Sequence, residues 1–110
     1  MKPVAVTGVS GFIGSRVLEH FRRERVPVRG YTRGVTGSVQ PGVLHCNYLD
    51  EVGLTKDFAG CGVVVHIAGL AHIGMRAGQV AAREYELANV HSALSVARAA
   101  KAAEIGRAHV

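Results

Sequence analysis

Seven residues near the N-terminus have the types and spacing of a phosphate cradle. Gly8-Val9-Ser10-Gly11-Phe12-Ile13-Gly14 sets glycines as G-x-x-G-x-x-G. They directly follow the apolar, β-branched run Val4-Ala5-Val6-Thr7 and open an amphipathic stretch, the strand–turn–helix context in which such glycines receive a dinucleotide diphosphate. Gly8 allows the sharp turn out of the strand, Gly11 lets the backbone approach the phosphates, and Gly14 lets the helix pack close to the sheet. The helix N-terminus then offers free N–H groups and the positive end of its dipole, and Ser10 adds a hydroxyl donor. A mononucleotide P-loop is excluded, because no Gly-Lys-Ser/Thr follows the glycines. The plain alternative is a turn that only joins strand to helix.

The elements that must position this turn are legible as alternating apolar runs. A strand is expected at Val4–Thr7, then a helix from about Gly11 to Arg23 whose buried face is Ile13, Val17 and Phe21 with Leu18 beside them. Pro27 marks the next boundary, before a strand over Val28–Thr32. Gly34 to Gly42 reads as a loop. A short strand is expected at Val43–Cys46, then a short helix capped by Asp50 and running to about Asp57. Val63-Val64-Val65-His66-Ile67-Ala68 is the clearest buried strand. After a loop over Gly69–Gly78, an Ala-rich helix runs from Ala81 or Glu84 to Ala103, with Leu87, Val90, Leu94 and Ala97 as its apolar stripe. This alternation predicts an α/β fold, a Rossmann-type doubly wound parallel sheet covered on both faces, as one domain over residues 1–110.

Composition narrows the function classes. Apolar residues make up 48% of the chain and charged residues 19%, which suits a folded core rather than a disordered tail. The net charge is +5, with arginines gathered near the first helix at Arg16, Arg22, Arg23 and Arg25. There is no dense basic run and only 5% of residues are aromatic, so no nucleic-acid partner is expected. Cys46 and Cys61 read as buried free thiols; with no CxxC pair and scattered histidines, no metal site is expected. No stretch reaches membrane-spanning length and no signal-peptide core follows Met1, so the expected location is cytoplasmic and no membrane partner is expected.

Three segments together resemble one family. Val6-Thr7-Gly8-Val9-Ser10-Gly11-Phe12-Ile13-Gly14 is similar to the V-T-G-x-x-G-F-I-G signature of the extended short-chain dehydrogenase/reductases, which include the NAD-dependent epimerase/dehydratase family. His66-Ile67-Ala68-Gly69-Leu70 resembles that family's H-x-A-G/A segment. Asn89-Val90 resembles its N-V-x-G-T element, with Ser92-Ala93 in place of Gly-Thr. The resemblance implies a cofactor site for NAD or NADP built from Gly8, Ser10, Gly11, Phe12, Ile13 and Gly14, with Ala68 and Gly69 lining the cofactor and Asn89 on the last helix. Asn47-Tyr48 stands where the family often has Asp-Leu beside the adenine. Asn47 can accept a hydrogen bond from the adenine amino group. His66 reads as a satisfied strand-end residue rather than an acid or base.

The end of the second strand bears on which cofactor is held. NAD-preferring proteins carry an acid there for the ribose hydroxyls. Here Val28-Arg29-Gly30-Tyr31-Thr32-Arg33 contains no carboxylate: Thr32 takes its place and Arg33 follows, resembling the V-R-x-x-x-R ending of NADP-using members. Arg33 can pair bidentately with a 2′-phosphate. NADP is therefore expected in preference to NAD.

The resemblance implies hydride transfer in a longer protein, with a tyrosine as general acid/base and a lysine four residues on. Tyr31, Tyr48 and Tyr85 are followed at that distance by Val35, Val52 and Asn89, so no catalytic residue is assigned. The chain is expected to be an N-terminal fragment that stops before the fifth strand and is inactive alone as an enzyme. Its last residues from about 104, Glu104-Ile105-Gly106-Arg107-Ala108-His109-Val110, can be encoded by a common sequencing adapter, against a native turn into that strand. A sheet ending at the fourth strand would leave Val63-Val64-Val65 as an unprotected apolar edge prone to aggregation. The full-length protein is expected to be an NAD(P)-dependent epimerase, dehydratase or reductase acting on a nucleotide sugar or small carbonyl substrate. The alternatives are a non-catalytic NADP-binding module and a purely structural domain. A homodimer of the full-length protein is left open.

Overall fold

The computed structural model describes residues 1–33, 42–68, 83, 87–105 and 107–109. Within these the chain runs β1 (Val4–Thr7), α1 (Phe12–Arg23), β2 (Val28–Thr32), β3 (Val43–His45), α2 (Glu51–Phe58), β4 (Val63–His66), a π-helical turn (Leu87–His91), α3 (Ser92–Ala102) and β5 (Arg107–His109). The strands form one sheet in the order β3-β2-β1-β4-β5. Every pairing is parallel, with Val4 opposite both Val28 and Val63, Gly30 opposite Val43, and Val63 opposite Arg107. The chain winds outward from β1 to β3, then returns to lay β4 on the other side of β1. That reversal opens a crevice at the C-terminal ends of β1 and β4, where doubly wound sheets bind ligands.

Two apolar layers sit on opposite faces of this sheet. The alternation of side chains along a strand sends Val4 and Val6 to one face and Ala5 to the other. Val6, Val9 and Leu18 form the centre of the layer beneath α1, with Val17, Phe21 and Val65 packed around them. Ala5, Tyr31, Leu54, Phe58, Val64, Val96 and Ala99 form the layer beneath α2 and α3. The α2 N-terminus is capped as its sequence predicts: the Asp50 carboxylate accepts from the Gly53 N–H at 3.1 Å. Its C-terminal carbonyls are held by residues of β2. Arg29 donates to the carbonyls of Asp57 and Ala59, and the Tyr31 hydroxyl donates to that of Asp57 at 2.7 Å. Those bonds satisfy groups that a helix end leaves without intrahelical partners.

Three expectations are corrected. Ile13 is not on the buried face of α1; it is 63% exposed, and Gly14 and Leu18 are the buried residues, flanked by half-buried Val17 and Phe21. Spacing of three and four from Gly14 places Val17, Leu18 and Phe21 on one stripe, and Ile13 falls beside it. On α3 the buried residues are Ser92, Ser95, Val96, Ala99 and Ala100, while Leu94, and Val90 on the preceding π-helical turn, stand about half exposed. The small residues, not the larger ones, meet the sheet layer and α2. Finally, β4 is not an edge. After α3, the Ile105 N–H bonds the Ala100 carbonyl at 3.0 Å, Ala103 and Ile105 pack against the core, and Arg107–His109 pairs along β4. The beginning of the expected helix at Ala81 or Glu84, and all but Gly42 of the expected loop over Gly34–Gly42, lie outside the described residues. Among the described residues no helix is long and apolar enough to cross a membrane.

Phe58 is fully buried and meets the Tyr31 ring edge-on at a centroid separation of 5.9 Å. Phe58→Ala is expected to remove about 3–5 kcal/mol of stability, with a smaller loss for Phe58→Leu. Chemical denaturation of the three proteins checks this ordering.

Candidate functional site

The crevice at the sheet reversal is a groove of about 500 Å³, a size typical of ligand sites. The glycine turn supplies Gly8, Ser10, Gly11, Phe12, Ile13 and Gly14; β2 supplies Thr32 and Arg33; Tyr48, Ile67 and Ala68 complete the described lining. The structure thus brings together nine of the twelve residues expected at the site. Gly69 lies outside the described residues. Asn47 is exposed and does not line the groove. Its Oδ1 accepts from the Leu49 N–H at 2.9 Å, in a turn that leads into α2. Asn89 is half-buried on the π-helical turn and does not line this groove either.

The glycines differ in what they are needed for. Gly8 has φ +70°, the left-handed region that favours glycine, and a Cβ there would stand 2.6 Å from the Ala68 nitrogen. A Cβ on Gly14 would overlap the Gly8 carbonyl oxygen. A Cβ on Gly11 would meet that oxygen only at an ordinary 3.5 Å. Packing therefore requires Gly8 and Gly14, whereas the fold leaves room at Gly11. Gly11 is also the N-cap of α1, where it has no side chain to cap the helix, and the first turn contains no acidic residue. The positive end of the helix dipole is left facing the groove.

Beneath the turn the polar groups are paired. The Thr7 hydroxyl accepts from the N–H groups of Ile67 at 2.9 Å and Ala68 at 3.2 Å. Its own proton therefore goes to His66 Nδ1, 2.7 Å away. That fixes the His66 tautomer with its proton on Nε2, which faces the Ser92 hydroxyl at 3.5 Å. Burial holds His66 neutral by lowering its pKa from 6.5 to about 4. His66 thus links β1, β4 and α3. The expectation of a strand-end residue with satisfied bonds agrees with this geometry. Sequence reasoning missed the parts of Thr7 and Ser92, whose only signal was a hydroxyl residue closing β1 and another opening α3.

Other polar groups stand at the rim. Ser10 Oγ lies 3.0 Å from Thr32 Oγ1, so its hydroxyl already has a protein partner. Arg33 is exposed, and its backbone carbonyl accepts from His45 Nε2 at 3.0 Å. Phe12 and Ile13 are 73% and 63% exposed, and the Arg16 guanidinium lies 3.6 Å from the Phe12 ring centroid. No carboxylate is present among the described lining residues.

Residues 4–110 match the NAD dependent epimerase/dehydratase family. The chain belongs to that family. No protein among the curated sequences matches it. Among solved structures it is similar to a UDP-glucose 4-epimerase from Thermus thermophilus in complex with NAD, at 23% identity and a TM-score of 0.78, over 96% of this chain and 36% of that one. It is similar to a mutant uronate dehydrogenase from Agrobacterium tumefaciens complexed with NAD, at 21% identity and a TM-score of 0.70, over 93% and 37%. It is also similar to MoeE5 in complex with UDP-glucose and NAD, at 26% identity and a TM-score of 0.77, over 96% and 34%. The chain therefore spans about a third of the length of these structures. The shared fold is the Rossmann-type parallel sheet described above.

Two stability measurements follow from the site. Gly14→Ala is expected to cost about 3 kcal/mol or more through backbone overlap, while Gly11→Ala stays within about 1 kcal/mol of the parent; thermal melts of both check this. Between pH 6.5 and about 4 the unfolded chain protonates His66 and the folded chain does not. Stability from this group is fully present above pH 6.5 and is lost as pH falls through that window, by about 3 kcal/mol at most. His66→Asn, which keeps an acceptor for Thr7, is expected to flatten that part of the profile. Superimposable melting profiles for parent and variant from pH 8 to 4 would refute it.

Proposed function

We propose that the groove holds a nicotinamide dinucleotide, NADP in preference to NAD. The chain is then the cofactor-binding portion of an epimerase, dehydratase or oxidoreductase that acts on a nucleotide sugar or a small carbonyl compound. The observation that carries this reading is the uncapped, acid-free N-terminus of α1, opening on a glycine turn at the reversal point of the sheet. The bound diphosphate takes the free N–H groups of that first turn. Phe12 and Ile13, exposed at no benefit to the core, supply apolar contact to the cofactor, and Ala68 lines its other side. Ser10, bonded to Thr32, adds a hydroxyl to the wall of the groove beside it. Arg33, with no carboxylate beside it, takes the 2′-phosphate as a planar bidentate donor.

Membership of the family and the NAD held in the similar structures support a redox role for the bound cofactor: the nicotinamide supplies hydride chemistry. The UDP-glucose bound to MoeE5 supports the nucleotide-sugar branch of the proposal. The protein's own described residues bind and orient the cofactor; the groups that move protons on the substrate belong to chain beyond these residues.

The preference is tested by measuring NADPH and NADH affinities for the parent and Arg33→Ala. Tighter binding of NADPH by the parent, reduced by about tenfold or more in the variant with NADH unchanged, is the expected result, since charge-assisted bonds to a phosphate contribute about 1.5–3 kcal/mol. Equal affinities for both cofactors in both proteins would sink it.

A further inference from the structure

Tyr48 lines the groove, yet its hydroxyl is spent on the protein. The oxygen accepts from the Gly8 N–H at 2.9 Å and donates to the Tyr31 carbonyl at 3.0 Å. The residue is 5% exposed, and its ring meets His66 edge-on at a centroid separation of 5.5 Å. The Tyr31 carbonyl also accepts from the Val9 N–H at 3.2 Å, so one oxygen of β2 anchors the start of the turn twice, once directly and once through Tyr48. The other half of the Gly8 residue is fixed as well. Its carbonyl accepts from the Gly11 N–H at 3.1 Å and lies against Gly14.

We propose that Tyr48 is a positioning residue of the cofactor site: by bridging Gly8 to Tyr31 it locks the glycine turn in the orientation that presents the α1 N-terminus to a diphosphate. This rests on the dinucleotide reading above. The residue acts through Gly8 and is assigned no contact with the reacting atoms. Its consequence is specific, because the Gly8 peptide leads directly into the turn that sets the first residues of α1, whose free N–H groups face the groove. No other described side chain holds the Gly8 N–H. Without the hydroxyl that N–H and one bond to the Tyr31 carbonyl lose their partner, and the turn gains freedom that ligand binding must remove. The ring, retained in Tyr48→Phe, keeps its packing on His66.

The test compares the full chain with Tyr48→Phe in two ways. Amide hydrogen exchange, read by NMR without ligand, is expected to show Gly8 protected in the parent and exchanging at least tenfold faster in the variant, with the amides of β4 unchanged. Affinity for ADP is expected to fall about tenfold in the variant, while affinity for adenosine, which lacks the diphosphate, stays within twofold. Equal loss for both ligands would mark a general loosening and overturn the proposal, as would an unchanged Gly8 exchange rate. A parent that binds NADPH and ADP, with a variant that binds both equally well, overturns this inference alone. A parent that binds neither overturns the dinucleotide reading and this inference with it. If Tyr48→Phe does not fold, a 3,5-difluorotyrosine at position 48 keeps ring and hydroxyl but weakens the oxygen as an acceptor. Faster Gly8 exchange in that protein supports the lock, and an unchanged rate overturns it.

Discussion

Backbone meets backbone where α1 leaves the sheet. Gly14 rests on the Gly8 carbonyl with no space for a side chain between them, and Gly8 rests in turn on Ala68 at the end of β4. This contact sets the distance of α1 from the sheet and, with it, which residues of α1 reach the apolar layer. It also draws the ends of β1 and β4 together beneath the helix N-terminus. The groove is therefore a consequence of how the first strand–turn–helix unit packs, and an insertion or larger residue in that unit would alter both at once.

The two faces of the sheet serve this arrangement differently. The α1 face is a small aliphatic layer centred on Val6, Val9 and Leu18. It supports the turn by shape alone. The other face holds the larger layer with Tyr31, Phe58, Tyr48 and the buried thiols Cys46 and Cys61. Burial pushes the Cys46 thiol up to about 12, which keeps it protonated and inert. Tyr31 contributes to both stability and site: its ring packs on Phe58, its hydroxyl closes the end of α2, and its carbonyl anchors the glycine turn. The aromatic layer is thus tied to the groove floor by hydrogen bonds as well as by packing.

The order of strands and helices was legible because short β-branched runs alternate with amphipathic ones, and the glycine turn was legible because its residue types are dictated by backbone geometry. Faces were harder. In α3 nearly every position is apolar or small, so periodicity favours Leu94 and Val90 by size. The structure instead buries Ser92, Ser95 and Ala99, because close approach to α2 and the sheet selects small side chains. Ile13 misled for a related reason: it is four residues from Val17, but it falls beside the buried stripe, on the first turn and lining the groove. Asn47 was placed by resemblance to an acid in the family; its side-chain oxygen closes a local turn. Tyr48 was expected near the groove, which it lines, but not as a link between Gly8 and Tyr31, because a contact across 40 residues leaves no local signal. The fifth strand was hidden in a segment whose three residues, Arg107-Ala108-His109, lack strand character; pairing with β4 overrides that propensity.

The groove's floor and its mouth obey opposite rules. In the floor and just beneath it, Tyr48 and Thr32, which line the groove, and Thr7 and His66, which do not, are buried or nearly so, and among the described residues no buried side-chain polar atom lacks a partner. A floor whose hydroxyls are already paired has few rotamers left to lose when a ligand arrives, which is how preorganisation raises affinity. At the mouth, Phe12, Ile13 and Arg33 are exposed, with the Arg16 guanidinium over the Phe12 ring. Phe12 and Ile13 therefore bury little apolar surface in the layer beneath α1. Contacts that fix geometry thus lie beneath the glycine turn, and the exposed side chains lie above it. A substitution in the floor should disturb the turn itself, whereas one at the mouth should leave the fold unchanged.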